Sequence, residues 1–215
     1  MKEIWAIILA AGASTRMKQQ KLLLPFNGKT IIETVVENVA RSVSSNILVV
    51  LGSHREQIQE QLVNSAVKIG VNENYLDGML SSAICGFRAL PGEAKAALIF
   101  LADQPQIPAQ VTDLVIKAWI ESGKGIVIPT FNGRRGHPVL IETRFKTDIE
   151  RLDPEKGLRV LSKKFKNDVF EVECSIPEIL RDIDTPEEYQ FETSITKLCH
   201  TDDHYKRVTS NTFKN

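Results

Sequence analysis

Residues 4–30 read IWAIILAAGASTRMKQQKLLLPFNGKT. The first six are all apolar, as expected of a strand buried on both faces of a parallel sheet. A small-residue turn around Gly12 follows, then a cationic run through Arg16, Lys18 and Lys21 to Gly28-Lys29-Thr30. Glycine after a buried strand, followed by cations, suggests a phosphate site. Two familiar kinds can be tested. The Gly-Lys-Thr would close a nucleotide-hydrolase loop only with glycine at position 23, where Leu23 stands, and Pro25 and Phe26 break a glycine nest. It reads instead as a turn leading into a helix cap. A dinucleotide fingerprint fails as well. Ser14 and Met17 stand where its later glycines belong, and Gly52-Ser53-His54 replaces the ribose-binding acid.

What remains is a long loop, about fifteen residues, of a length that is uncommon in compact domains and often functional. Its small residues, Ala10 to Ala13, let backbone N–H groups approach a flat base or a phosphate. Arg16 offers two parallel donors to phosphate oxygens, and Lys21 a compact charge. A solvated basic loop is the plainer alternative. Residues 1–13 also have the outline of a short signal peptide. Glu3 weakens its basic start, however, and the remaining pattern needs these residues as a first strand.

Outward from this stretch, apolar runs at 46–51, 67–71, 96–101 and 125–129 alternate with amphipathic segments at 30–43, 53–63, 81–90 and 108–121. Two of the latter open on capping-box patterns, Thr30 to Glu33 and Ser53 to Glu56. The alternation predicts an α/β fold: a single-domain, open, mostly parallel twisted sheet with helices on both faces, Rossmann-like in layout. Past residue 130 the rhythm loosens. A Gly/Arg-rich loop that looks mobile, a short strand at 139–141, helical patterns at 144–152 and 158–165, a strand at 169–172 and a helix from Thr185 are expected. From 193 the chain turns polar and aperiodic, so the expected division is a domain over 1–192 and a polar C-terminal extension over 193–215.

Lys+Arg and Asp+Glu both number 27, which leaves no global charge for a nucleic-acid or membrane partner, so any anion site must be local. No apolar run reaches membrane-spanning length. Cys85, Cys174 and Cys199 are scattered, fit a reducing cytoplasm, and form neither a disulfide framework nor a zinc site. Cys199-His200 with Asp202, Asp203 and His204 lacks the spacing of a closed zinc site and reads as an exposed tail.

Open parallel sheets bind ligands outside the carboxyl ends of their strands. Three unusual segments fall on that predicted edge: the opening loop, residues 72–82 (NENYLDGMLSS), and Ala102-Asp103-Gln104-Pro105. Asp103 stands where a carboxylate can hold Mg²⁺, with Asp184 as a partner; a turn or helix-capping role is the plainer alternative for each.

These residues together resemble a known family. Leu9-Ala10-Ala11-Gly12-x-Ser14-x-Arg16-Met17, Lys21-Leu22-Leu23-Leu24-Pro25 and Asp103 resemble the MobA-like nucleotidyltransferases. Gly78-Met79-x-x-Ser82, Gly133-x-x-Gly136-His137-Pro138-Val139 and Asp182-Ile183-Asp184-Thr185-Pro186-Glu187 resemble the branch that cytidylylates molybdenum cofactor for hydroxylases such as xanthine dehydrogenase. The resemblance implies a nucleotidyltransferase fold and transfer of CMP from CTP to the terminal phosphate of molybdopterin, with pyrophosphate released. It implies catalytic Arg16 and Lys21, Mg²⁺ on Asp103 and Asp184, and nucleotide binding by Leu9, Ala10, Ala11, Gly12, Asn72, Gly78 and Ser82. Gly136, His137 and Pro138 would hold the acceptor, although a turn histidine bonded to backbone is the plainer reading of His137. A transient contact with a molybdenum hydroxylase or its maturation factor is also implied. Lys18 departs from the pattern, which has glycine there. GTP in place of CTP, a sugar phosphate as acceptor, and a non-catalytic cofactor chaperone are the alternatives; a nicotinamide-dependent dehydrogenase is disfavoured by the missing glycine and acid.

Overall fold

The computed structural model describes residues 3–17, 19–43, 46–154 and 156–201. The chain runs β1 (Ile4–Ala10), a loop with two 3-10 turns, a small hairpin of β2 (Pro25–Phe26) and β3 (Lys29–Thr30), and α1 (Ile31–Val43). It continues through β4 (Ile47–Leu51), α2 (Arg55–Gln61), β5 (Lys68–Val71), α3 (Met79–Ala89), β6 (Ala96–Leu101) and α4 (Ala109–Ser122). The second half holds β7 (Ile126–Phe131), β8 (Arg134–Arg135), β9 (Val139–Glu142), α5 (Lys146–Glu150), α6 (Arg159–Lys164), β10 (Val169–Glu173) and α7 (Pro186–Thr201).

One sheet has the order β10-β7-β9-β6-β1-β4-β5, with β8 paired to β7. β1 lies inside it, next to the central β6, parallel to β4 and to β6, and every residue of β1 is buried. Alternation along β1 divides the core. Ile4, Ala6, Ile8 and Ala10 pack with α1, α2 and α4, whereas Trp5, Ile7 and Leu9 pack with α3, α5 and α6. Helices thus cover both faces, as expected. The chain winds from β1 out to β5 and then returns to β6 on the other side of β1. The strand order therefore reverses between β1 and β6, where the diverging loops leave a crevice.

Within this sheet most pairings are parallel; β9 is inserted antiparallel between β6 and β7. The Gly/Arg-rich segment is a β7–β8 hairpin rather than a mobile loop. Asn132 (φ 50°) and Gly133 (φ 72°) supply the two left-handed residues of a tight turn.

Three boundaries differ from expectation. The Ser53 capping box does not form. Ser53 N–H donates to Ala11 O (3.2 Å), and His54 in the left-handed region (φ 54°) precedes α2 without a side-chain cap. α3 begins two residues early because Gly78 turns the chain at φ 89°. α7 runs through position 193 to Thr201, so the polar stretch begins inside a helix.

Candidate active site

At the crevice between β1 and β6 lies a cleft of about 310 Å³. Leu9, Ala10, Ala11, Gly12, Arg16, Lys21, Gly78, Ser82, Asp103 and Asp184 all line it, so ten residues singled out in the sequence converge on one cavity. Gly12 is exposed, with open space where a side chain would stand, so a ligand can reach its backbone. Across the cleft, Gly78 delivers the first turn of α3, with Met79 and Ser82 on the lining.

Asp103 is carried by the end of β6. Asp184 arrives from a residue 81 positions later, and the backbone explains how: Ile183 N–H donates to Asp103 O (3.0 Å), and the Ile183 side chain is fully buried in the core. Lys21 Nζ stands between the two carboxylates, donating to Asp103 Oδ2 (2.5 Å) and Asp184 Oδ1 (2.7 Å). Arg16 reaches the other oxygen of Asp184 (2.7 Å) from a largely exposed position. Burial works against the Lys21 ammonium, but the charge of Asp103 and the hydrogen bonds to both carboxylates outweigh it and hold its pKa above the ordinary value. Burial likewise opposes the Asp184 carboxylate; Lys21 and Arg16 overcome it and hold that group below its usual range. Asp182 goes the other way. It is raised by burial and by the Asp103 charge, and the hydrogen bond from Gln104 (2.7 Å) offsets this only in part.

The oxygens suit a hard cation. Asp103 Oδ1 is buried without a hydrogen-bond partner, and the available ligands are two carboxylates of the kind Mg²⁺ takes alongside water and phosphate. Among the described residues no group of three or more His, Cys, Asp or Glu is arranged to hold a metal, so substrate and water would complete any coordination.

Asn72 does not line the cleft. It is buried; its amide donates to Ser81 Oγ (2.8 Å) and Ser82 Oγ (3.0 Å), and its carbonyl accepts from Asn74 N–H (3.0 Å). It shapes the loop that presents Ser82. Gly136 and His137 lie elsewhere, on a second cavity of about 590 Å³, which meets the first at Met79. Pro138 is buried beside them and lines neither cavity. Gly136 has no room for a Cβ, which would stand 2.5 Å from Ile179 O. His137 N–H donates to that same carbonyl (3.2 Å), and burial pushes its imidazolium down to about 4, leaving the ring neutral near pH 7.

Gln20 was not anticipated. Its carbonyl accepts from Ser14 Oγ (2.8 Å) and Leu22 N–H (3.3 Å), and its amide reaches Gly12 O (3.5 Å), tying the first loop together from inside. A polar residue beside a second glutamine carries no local signal of that role. Tyr75 was missed too; it lines the cleft and packs on Gly52, where a Cβ would stand 2.6 Å from the tyrosine Cβ. Lys18 lies outside the described residues, as do Asp202, Asp203 and His204 of the tail grouping and the side chains of Cys199 and His200.

Comparisons with known proteins bear on the family and the fold. Residues 6–169 match the MobA-like NTP transferase domain. The molybdenum cofactor cytidylyltransferase of Escherichia coli (strain K12) is 32% identical over 191 residues, 88% of this chain and 95% of that one. Nicotine blue oxidoreductase of Paenarthrobacter nicotinovorans is 24% identical over 200 residues, 86% of this chain and 94% of the other. The crystal structure of Rv0371C in complex with manganese, from Mycobacterium tuberculosis H37Rv, superposes with a TM-score of 0.73 at 20% identity, covering 89% of this chain and 98% of that one.

Proposed function

The chain belongs to the MobA-like NTP transferase family and is an enzyme of the nucleotidyltransferase kind, and from that premise we propose that it transfers CMP from CTP to the terminal phosphate of molybdopterin cofactor. The observation that carries this reading is Lys21, held between Asp103 and Asp184 at the lip of β1 and β6. In the reaction an oxygen of the acceptor phosphate forms a bond to the α-phosphorus. The bond from that phosphorus to the α–β bridging oxygen breaks, and pyrophosphate leaves with the electron pair. The nucleophile is already anionic, so no strong general base is required, and catalysis is positioning plus charge stabilisation.

Each residue has a part in this. The backbone from Leu9 to Gly12 and the Ser82 hydroxyl hold base and ribose, with Gly78 admitting the first turn of α3 to the cleft; Asn72 acts through Ser82. Arg16 and Lys21 turn from their carboxylates to the triphosphate and neutralise the charge that grows on pyrophosphate. Asp103 and Asp184 would hold Mg²⁺, which would supply charge stabilisation at the phosphate oxygens. The manganese carried by the Rv0371C structure is in keeping with a divalent ion on this fold. Gly136 and His137, with Pro138 bracing them, border the acceptor. The cytidylylated product would serve a molybdenum hydroxylase such as xanthine dehydrogenase, by transient contact with that enzyme or its maturation factor. The scattered cysteines favour the cytoplasm; no helix of the described residues is long and apolar enough to cross a membrane.

The test is to incubate the protein with Mg²⁺, molybdopterin cofactor and each NTP separately, following pyrophosphate. CTP should be preferred. Equal or faster turnover with GTP, or turnover only with a sugar phosphate, would sink the cytidylyl assignment. Cofactor binding without pyrophosphate release would favour a chaperone. The relative named nicotine blue oxidoreductase gives a second reading its one specific support, and NAD(P)H oxidation in place of pyrophosphate release would establish it.

A further inference from the structure

The loop that follows β1 has little to hold it in shape. Over residues 12–20 most described residues are exposed, and Ser14 takes the left-handed region (φ 51°), which a residue with a side chain holds only when its surroundings enforce it. Two described side chains there are buried: Met17, which is apolar, and Gln20, at 8% exposure. Burying an amide is costly unless its oxygen and its nitrogen both find partners. Those of Gln20 do. Its Oε1 accepts from Ser14 Oγ (2.8 Å) and Leu22 N–H (3.3 Å), and its Nε2 donates to Gly12 O (3.5 Å). Ser14 Oγ in turn accepts from Lys21 N–H (3.3 Å). One side chain therefore joins the entry of the loop, at Gly12 and Ser14, to its exit, at Lys21 and Leu22. Gly12, Ser14, Lys21 and Leu22 all line the first cavity, whereas Gln20 stands behind that wall. A methionine would have the reach without the hydrogen bonds. A glutamate could accept but not donate, and would add negative charge beside Arg16 and Lys21.

We propose that Gln20 is a positioning residue for nucleotidyl transfer: it sets the distance between the Gly12–Ser14 backbone and the backbone from which Lys21 projects, and so fits this loop to the polyphosphate of the nucleotide. The proposal rests on the transferase reading for one point, that the polyphosphate lies in this cleft, and is independent of which nucleotide or acceptor is used. Preorganisation is the physical reason. A loop already held at the spacing of its ligand loses less freedom on binding, and its donors meet the phosphate charge without rearranging.

The probe is pyrophosphate with Mg²⁺, measured by calorimetry, beside steady-state turnover with the preferred NTP. Gln20→Met should bind pyrophosphate about tenfold more weakly than wild type, the scale of one or two hydrogen bonds lost from the free loop. The KM for NTP should rise by a similar factor, with the acceptor KM within about twofold of wild type. Loss of folded protein alone would lower kcat and leave both KM values in place, so this split reports positioning; thermal unfolding fixes a temperature at which each variant is folded. Ser14→Ala removes the hydroxyl between Gln20 and the Lys21 N–H from a half-buried site, and carries the test alone if Gln20→Met does not fold. It should weaken pyrophosphate binding about threefold or more. Because the two residues act through one another, the double variant should be little worse than Gln20→Met. Pyrophosphate affinity within about twofold of wild type in either folded variant, equal rises in both KM values, or additive losses in the double variant would overturn the proposal. The failures are distinguishable. Wild type that binds no pyrophosphate defeats the placement of the triphosphate in this cleft, and the proposal with it. A preference for GTP or for a sugar phosphate defeats the cytidylyl assignment, whereas the pyrophosphate losses in the variants support the role of Gln20 under either nucleotide.

Discussion

Lys21 sits where the two carboxylates would otherwise repel each other, at side-chain exposures of 11% for the lysine, 20% for Asp103 and 25% for Asp184. Removing one partner of a partly buried ion cluster leaves the others uncompensated. Lys21→Met should therefore lower the melting temperature in EDTA, and Mn²⁺ should raise it by more than in wild type, since the metal then meets Asp103 free of its cation and Asp184 held by Arg16 alone. Pyrophosphate release should fall about 10²–10³-fold through loss of a charge aimed at the leaving group. Thermal scans with and without Mn²⁺ check the first part; a Mn²⁺ shift no larger than that of wild type would defeat it. His137 makes a separate prediction. Its folded pKa of about 4 lies below the ordinary 6.5, so the unfolded chain binds the extra proton between those values. Stability from this group is complete above pH 6.5 and is lost as pH falls toward 4, amounting to about 2 kcal/mol between pH 7 and pH 5. In His137→Gln, urea unfolding at those two pH values should show a difference smaller by that amount; an unchanged difference would count against a buried neutral ring. At this scale Lys21, Asp103 and Asp184 were legible because charged residues at apolar strand ends or in a long loop are chemically out of place. Asn72 and Gln20 were not, because an amide that props another residue has the same composition as one that binds a ligand.

The two capping boxes show what an element owes to its neighbours. In front of α1, Thr30 N–H donates to Glu33 Oε2 (2.8 Å) and Glu33 N–H to Thr30 Oγ1 (3.4 Å), the reciprocal arrangement the sequence predicts. The same pattern from Ser53 to Glu56 is overridden. Ala11 O takes the Ser53 N–H, and Gly52 lies so close to Tyr75 and Ala11 that the chain enters α2 through a left-handed His54. Local capping energy of about 1 kcal/mol loses there to contacts that fasten the site loop. Glu33→Ala should consequently cost about 1 kcal/mol, or roughly 2–4 °C, with turnover unchanged, while Glu56→Ala should cost next to nothing. Calorimetry on the two single variants decides it, and equal losses would mean that the second box forms in solution. The first half of the fold was readable because its strands and helices are local and alternate. Beyond residue 130 the order depends on β9 entering antiparallel between β6 and β7, and its pairing with β6 joins distant segments, Ile99 to Val139, that no local period encodes.

Across the whole molecule, the segment that follows β10 acts as a clasp. Ile179 O accepts from His137 N–H beside the second cavity, Gln104 binds Asp182, Ile183 N–H bonds Asp103 O, and Tyr189 OH donates to Pro25 O (2.6 Å) beyond the first loop. One stretch of chain thus touches the walls of both cavities and delivers Asp184 to the first. The residues alone offered Asp184 as a partner of Asp103, but the means of bringing it there is the apolar residue between two acids, whose burial looks like ordinary core. Ile183 has 0% exposure, so Ile183→Ala should cost about 2–5 kcal/mol and Ile183→Val only about 0.5–1.5. If the clasp also sets the position of Asp184, the alanine variant should need severalfold more Mn²⁺ for half-maximal pyrophosphate release, measured at a temperature where it is fully folded. The valine variant, which keeps most of the anchor, should match wild type. An alanine variant that loses stability but keeps the wild-type Mn²⁺ dependence would show that the Ile183 N–H to Asp103 bond alone holds the carboxylate, and that the side chain contributes packing and nothing to the site.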